Sequence, residues 1–252
     1  MKIHITGAGR NIIVIPGWGM HHKAMTPILS DLAQHCRLHI VDLPGYGNSK
    51  ESTLEWAPDT IVKYIADHVP SAVWLGWSMG GLLTIHAAAM GFAQAAVLIA
   101  TTAQFVTDID APLGITEQTY ANFHQRLDKS VPDTLRRFYN LCVCGSPTAN
   151  ADRRQLDALL SQNEHPTKEA LKKGLELLKD LNLYSELPRI TIPTLWIGGE
   201  HDHIVPKQAV ERAARLVSNA QVHIAKHTSH IPFLKKSAQV LPLIRQFISI
   251  SI

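Results

Sequence analysis

The residues with the clearest chemical potential form one short group, Gly76-Trp77-Ser78-Met79-Gly80. It lies between an apolar run that begins at Ala72 and an Ala-rich segment of helical character. A serine flanked in this way, at a strand-to-helix junction, sits on a tight turn whose glycines let the two backbones approach closely. The turn pushes the hydroxyl outward, and the free N–H groups of the following helix favour negative charge beside it. The chemistry this suits is nucleophilic acyl transfer. A serine hydroxyl is a weak nucleophile near neutral pH, so it needs a base to take its proton and a carboxylate to orient that base.

Both partners are expected after later strands, in the order serine, acid, histidine. After the apolar run Thr194–Ile197 the chain reads Gly198-Gly199-Glu200-His201-Asp202-His203-Ile204-Val205-Pro206. Asp202, standing before an apolar-apolar-Pro run, is preferred as the acid, with Glu200 the alternative. After the last strand-like run, Gln221–Ile224, two histidines compete, His227 and His230. His230 leads into Ile231-Pro232-Phe233 and is preferred as the base. A tetrahedral intermediate also needs donors for its oxyanion. The backbone N–H of Met79 follows the nucleophile directly, and that of Trp18 belongs to the turn Pro16-Gly17-Trp18-Gly19. Trp18 and Trp77 flank the proposed hydroxyl and read equally as walls of an apolar pocket or as core packing.

The elements that must hold these residues alternate. Asn11–Ile15, Leu38–Val41, Ala72–Leu75, Ala95–Ala100 and Thr194–Ile197 are continuous apolar runs, the pattern of strands buried on both faces of a parallel sheet. Helical patterns lie between them, around Met25–His35, Thr60–Val69, from the serine to Gly91, Lys207–Leu216 and Ser237–Ile248. Strand–helix alternation predicts an α/β fold with a mostly parallel sheet. Lys2–Ile5 predicts an edge strand, closed by Gly7-Ala8-Gly9 as a hairpin turn. The alternation stops between residues 104 and 187, where helical periodicity continues without a convincing strand. Ser130-Val131-Pro132-Asp133 there predicts a capped helix carrying Leu135, Phe138, Leu141 and Cys142 on one face. Further helices are expected over Asp152–Gln162 and Lys168–Lys179. The division expected is a core of residues 1–103 and 188–252, with 104–187 inserted as a helical lid.

Composition narrows the function classes. The chain has 252 residues, 46% of them hydrophobic, with a net charge of +3 and three cysteines. That charge is too weak to argue for nucleic acid, and no nucleic-acid motif is present. No secretory signal and no apolar run of membrane-spanning length is visible. Sparse, odd-numbered cysteines fit free thiols in a cytoplasmic protein. His21-His22, and His201-x-His203 with Asp202, offer metal ligands on paper. Neither a His-Glu-x-x-His motif nor a cysteine cluster accompanies them, so metal catalysis is not expected, and no cofactor is expected.

Three segments, with Asp42-Leu43-Pro44-Gly45-Tyr46-Gly47-Asn48-Ser49 among them, carry a resemblance. With Gly17-Trp18-Gly19 and the Gly-Trp-Ser-Met-Gly-Gly turn, the chain resembles the α/β-hydrolase superfamily along its whole length. The Gly-Trp-Ser-Met-Gly-Gly turn with its tryptophan and the segment Gly174–Lys179, to which His230-Ile231-Pro232-Phe233 adds, bring it nearest to the pimeloyl-[acyl-carrier-protein] methyl ester esterases of biotin synthesis. The resemblance implies the α/β-hydrolase fold and hydrolysis of a methyl ester on a carrier-bound pimeloyl chain through an acyl-enzyme. By matching position it implies Ser78, Asp202 and His230 as the triad, and acyl-chain contacts from Trp18, Trp77, Phe123 and Phe138. It also implies docking of acidic acyl-carrier protein on basic lid residues, among them Arg137, Arg153 and Arg154; a monomer is expected. Pro16 departs from the family, which carries histidine there.

Charge supports the docking expectation independently. Between Tyr120 and Gly174, nine Lys/Arg stand against six Asp/Glu, an excess equal to the net charge of +3 of the entire chain. Such a surface steers an acidic partner. A broad esterase or a C–C bond hydrolase would share this triad and fold, and a ligand-binding module could keep the pocket without turnover.

Overall fold

The computed structural model describes residues 1–107, 113–162, 165–234 and 237–251. Strands β1 (Lys2–Thr6), β2 (Arg10–Ile15), β3 (Cys36–Asp42), β4 (Ala72–Trp77) and β5 (Ala93–Ile99) make up the first part of the sheet. Helices α1 (Thr26–Leu32), α2 (Pro58–His68) and α3 (Met79–Ala89) connect them. Two two-residue strands, β6 (Val106–Thr107) and β7 (Ile115–Thr116), open the inserted segment. Helices α4 (Glu117–Lys129), α5 (Val131–Val143), α6 (Ala149–Leu160) and α7 (Lys168–Asp180) fill it. The sheet resumes with β8 (Thr194–Gly199), α8 (Lys207–Ala214), β9 (Ala220–Ala225) and α9 (Ser237–Ile250).

The seven-stranded sheet has the order β1-β3-β2-β4-β5-β8-β9 and is parallel except for β1. Ile12–Ile15 of β2 and all of β4 are buried, as expected of strands covered by helices on both faces. One expectation fails here. β1 and β2 do not form a hairpin: β3 lies between them, antiparallel to β1 with Ile3 opposite Val41. The glycine turn instead carries the chain over the start of β3. A Cβ on Gly7, which has φ 76°, would fall 2.2 Å from the Cys36 carbonyl oxygen.

The inserted segment is helical, with the small parallel β6–β7 pair as a correction to the strand-free reading. Strands of two residues are too short to leave a pattern. α4 also escaped the sequence pattern, because Leu127 is its one fully buried residue and Tyr120 and Phe123 are only partly buried. Thr116 caps the helix, its Oγ1 accepting from the Thr119 N–H at 3.2 Å. α5 begins as expected, with Ser130 Oγ accepting from the Asp133 N–H at 3.3 Å. Its buried face holds Leu135, Phe138 and Cys142, with Tyr139 in place of the half-buried Leu141. α7 reaches the sheet's loops directly, the Thr167 N–H before it donating to the Gly45 carbonyl at 2.9 Å. Among the described residues, no helix is long and apolar enough to cross a membrane. Loops at the C-terminal ends of β2, β4, β8 and β9 carry Trp18, Ser78, Asp202 and His230, where open parallel sheets place their ligands.

Candidate active site

Ser78 occupies the turn between β4 and α3 with φ 55° and ψ −120°, a conformation of order 1–3 kcal/mol above ordinary ones for a residue with a side chain. The surroundings fix it. A Cβ on Gly76 would lie 2.3 Å from the Gly80 carbonyl oxygen, and one on Gly80 2.0 Å from that of Ile15. Both positions must therefore be bare for the elbow to close. The Ser78 N–H donates to the Ile99 carbonyl at 2.9 Å, and Thr101 Oγ1 donates to the Ser78 carbonyl at 2.9 Å.

His230 joins the serine to the acid. Its Nδ1 lies 2.8 Å from Asp202 Oδ2, and its Nε2 lies 2.9 Å from Ser78 Oγ. An ionised carboxylate only accepts, so Nδ1 carries the proton and Nε2 is left to accept from the serine hydroxyl. Asp202 Oδ1 in turn accepts from the N–H groups of Ile204 and Val205 at 2.8 and 3.0 Å. Ser78 is 3% exposed and His230 0%, so the relay is shielded from water, where its electrostatics act most strongly.

The alternatives from the sequence stand elsewhere. Glu200 accepts from the His227 N–H at 2.8 Å, and the two form a surface cluster with His201. His227 is 61% exposed and its ring lies against His201, while His230 is the histidine bonded to Ser78.

The loop after β2 abuts the nucleophile. A Cβ on Gly17 would come 3.2 Å from Ser78 Cβ, so the next residue, Trp18, begins at the serine's side. Met79 is the first residue of α3, where a helix leaves its own N–H without an internal acceptor. Trp18 is buried, anchored through Nε1 to the Leu171 carbonyl at 2.8 Å. It meets Phe138 and Phe123 edge-on, with centroids 4.9 and 6.3 Å away. Trp77 is also buried, but it faces the base: Nε1 donates to the His230 carbonyl at 3.0 Å and the ring packs edge-on to Phe233.

Several positioning groups carried no sequence signal. The Cys142 carbonyl, near the end of α5, accepts from the His230 N–H at 3.1 Å and from Ser229 Oγ at 2.8 Å. Gly19 is held from both sides, its N–H by Tyr46 and its carbonyl by Tyr139. Tyr46 was visible in the turn-rich loop after β3, yet its target 27 residues earlier was not.

Of the basic residues expected to dock a partner, Arg137 and Arg154 are exposed and have no ion pair among the described residues. Arg126 and Lys129 share that state. Arg153 is committed internally, bonding Asn140 and Asp157 and lying over the Tyr139 ring. Asp128 ties Lys168 and Lys172 at 3.3 and 2.7 Å. Glu164, one of the six acids in the charge tally, lies outside the described residues.

A family model described as the alpha/beta hydrolase family matches residues 12–242. The chain is 36% identical over 250 residues to the pimeloyl-[acyl-carrier protein] methyl ester esterase of Xanthomonas oryzae pv. oryzae, covering 99% of both chains. The protein of the same name from Stenotrophomonas maltophilia is also 36% identical, with 99% of this chain and 96% of that one covered. Among solved structures, an esterase from Exiguobacterium antarcticum superposes with a TM-score of 0.87 at 18% identity, over 98% of this chain and 94% of that one. A bromoperoxidase from Bacillus anthracis does so with 0.86 at 16%, with the same coverage, which speaks for the fold alone. The chain therefore belongs to the α/β-hydrolase family, and it is an esterase of the group that includes the Xanthomonas and Stenotrophomonas enzymes.

Proposed function

We propose that the protein hydrolyses the methyl ester of a pimeloyl chain carried on acyl-carrier protein, with Ser78, His230 and Asp202 as its triad. What carries the substrate assignment is the end-to-end 36% likeness to esterases named for that reaction. Ser78 Oγ attacks the ester carbonyl while His230 Nε2 takes its proton, and Asp202 stabilises the imidazolium. The oxyanion collects on the N–H groups of Trp18 and Met79. Its collapse expels methanol, which leaves with the proton from His230. Water, deprotonated by the same nitrogen, then attacks the acyl-enzyme and releases the free carboxyl end and Ser78.

Trp18, Phe123 and Phe138 supply the apolar wall for the chain's methylenes, and Trp77 acts beside them by steadying His230. The helices between residues 104 and 187 work as a lid over this wall, and their free cations receive the acidic carrier. The three cysteines are all unpaired, in keeping with a cytoplasmic site of action.

The test compares kcat/KM for the carrier-bound methyl ester with that for a short p-nitrophenyl ester at low salt. The carrier-bound ester should be favoured by at least about 10-fold. No advantage would remove the substrate assignment. The chemistry is tested separately: Ser78→Ala should abolish turnover of both esters, and an active Ala variant would remove the acyl-enzyme.

A further inference from the structure

Four side chains with no part in the ester chemistry converge beside the turn that follows β2. His21, His22 and Asp42 each bring one ligand-type atom to a site in which all three lie within 4.8 Å of one another. His22 Nδ1 is buried, makes no hydrogen bond and stands 3.8 Å from Asp42 Oδ1, too far for one. Buried imidazole nitrogens without a hydrogen bond are uncommon in general. His39, His86 and His223 also hold one each, but His22 is the one among them that shares its place with a second histidine and a carboxylate. The His21 and His22 rings lie against each other with centroids 4.0 Å apart.

The carboxylate is itself built into place. Asp42 is buried at the end of β3, and its Oδ2 accepts from His4 Nε2 at 2.6 Å and from the Asn48 N–H at 2.9 Å. The backbone at Gly47 presses on the same group, since a Cβ there would come 2.5 Å from Oδ2. These contacts fix one oxygen and leave Oδ1 turned toward His22. Such an arrangement, a carboxylate oriented by an outer hydrogen-bonding partner, is how metal-binding carboxylates are commonly held.

We propose that His21, His22 and Asp42 form a non-catalytic site for a divalent transition metal, zinc above others, with His4 as the outer partner that orients Asp42. Two imidazoles and one carboxylate suit zinc, whereas magnesium and calcium call for oxygen ligands. Tetrahedral ligands at zinc stand about 3.4 Å apart, so the side chains must close by roughly 1 Å. His21 and His22 are only partly buried; His21 Nδ1 accepts from the Lys23 N–H at 3.3 Å, an exposed contact that it gives up on turning or keeps by binding through Nε2. The bound ion would pin residues 21 and 22 to the end of β3. That pins the far end of the Gly17–Met20 turn, which abuts Ser78. A second group, Glu200, His201 and His227, also has ligand atoms within 4.8 Å, but both of its histidines are exposed and Glu200 already accepts the His227 N–H. It serves as the internal rival.

The experiment titrates chelator-stripped full-length protein with Zn2+ against a chromophoric competitor, and with Co2+ while recording its visible bands. Wild type should take up one tight equivalent of Zn2+, with a dissociation constant of about 1 μM or below near neutral pH. Zinc should also raise its melting temperature. His22→Asn and His21→Asn, folded by circular dichroism, should each weaken uptake by about 10-fold or more and lose the thermal gain. His227→Asn should keep both. Uptake only above about 100 μM, or uptake lost in His227→Asn and kept in His22→Asn, overturns the site. None of these readings depends on ester turnover.

Discussion

Tyr139 Oη donates to the carbonyl of Gly19 at 2.9 Å, tying helix α5 to the turn that begins beside Ser78. From the other side the Gly19 N–H donates to Tyr46 Oη at 3.1 Å, so the two peptide groups that meet at Gly19 are each held by a phenol, from two separate segments. Both phenols are buried. Because Trp18 immediately precedes Gly19, the aim of the Trp18 N–H depends on this clamp, and the clamp depends on α5 being seated.

Tyr139→Phe removes one half of the clamp while keeping the ring. A net hydrogen bond contributes about 1 kcal/mol, so the melting temperature should fall by only a few degrees. The kinetic effect should be larger in kcat than in KM, because a misaimed oxyanion donor acts in the transition state. Steady-state kinetics on a p-nitrophenyl ester decide the matter. A change confined to KM would mean that Tyr139 shapes the pocket and not the oxyanion turn.

The same two phenols make stability sensitive to alkali. Burial pushes the pKa of Tyr46 up; the Gly19 N–H acts the other way and Tyr139 adds to the rise. Burial likewise raises Tyr139, with Cys142 contributing. The folded values therefore exceed the unfolded one of about 10. Stability from these groups is fully present below pH 10 and is lost as pH climbs above it, where only the unfolded chain can ionise. Melting temperature measured across the alkaline range should drop above pH 10, and less steeply in the Tyr46→Phe, Tyr139→Phe double variant. Parallel curves for the two proteins would exclude this origin.

The acid and the base can be told from their neighbours in one series. Asp202→Asn leaves the shape but lets His230 hold the wrong tautomer, and kcat should fall on the order of 10^4-fold. Glu200→Gln and His227→Ala act on the surface cluster and should leave kcat within about 2-fold. A large loss in His227→Ala would reopen the choice of base.

How far the sequence carried depended on the distance over which each feature is defined. The elbow is local: strand, two glycines and helix are contiguous, so Ser78 could be read directly. Asp202 and His230 could be singled out because each follows a recognisable strand, and the geometry joins those two to Ser78 while Glu200 and His227 pair with each other at the surface. The β1–β2 hairpin was misread because a glycine turn specifies a reversal and not which strand becomes the neighbour. Tyr139 and Tyr46 stayed hidden for a similar reason. Their partner is a backbone group of one glycine, 120 and 27 residues away, and no side-chain pattern marks it. α4 was lost because its single fully buried residue leaves almost no periodicity to detect.

Gly174 tests how the inserted helices meet the proposed acyl wall. It lies inside α7, where alanine would ordinarily stabilise by about 1 kcal/mol. Here its Cβ would come 2.7 Å from Trp18 Cδ1, and Trp18 is fixed through the Leu171 carbonyl. Gly174→Ala should therefore raise KM for long acyl chains more than for acetyl esters. Equal effects on both would argue that Trp18 does not line the chain.

The proposed docking is tested by charge on the inserted helices. Arg137 and Arg154 are exposed and unpaired among the described residues, so their positive charge projects into solvent instead of being spent on a neighbour. An acidic partner would feel it over roughly a Debye length, about 10 Å at 0.1 M salt. The double variant Arg137→Glu, Arg154→Glu should lower kcat/KM for the carrier-bound ester by about 10-fold at low salt, and the gap should narrow as salt rises. Turnover of a free short ester should not change. Arg153→Gln supplies the contrast, because that guanidinium bonds Asn140 and Asp157 and covers Tyr139. Its loss should appear first as a lower melting temperature, with little change in the salt dependence of carrier-bound turnover. If Arg153→Gln abolished that salt dependence and the double reversal did not, the docking face would have to be redrawn around α6.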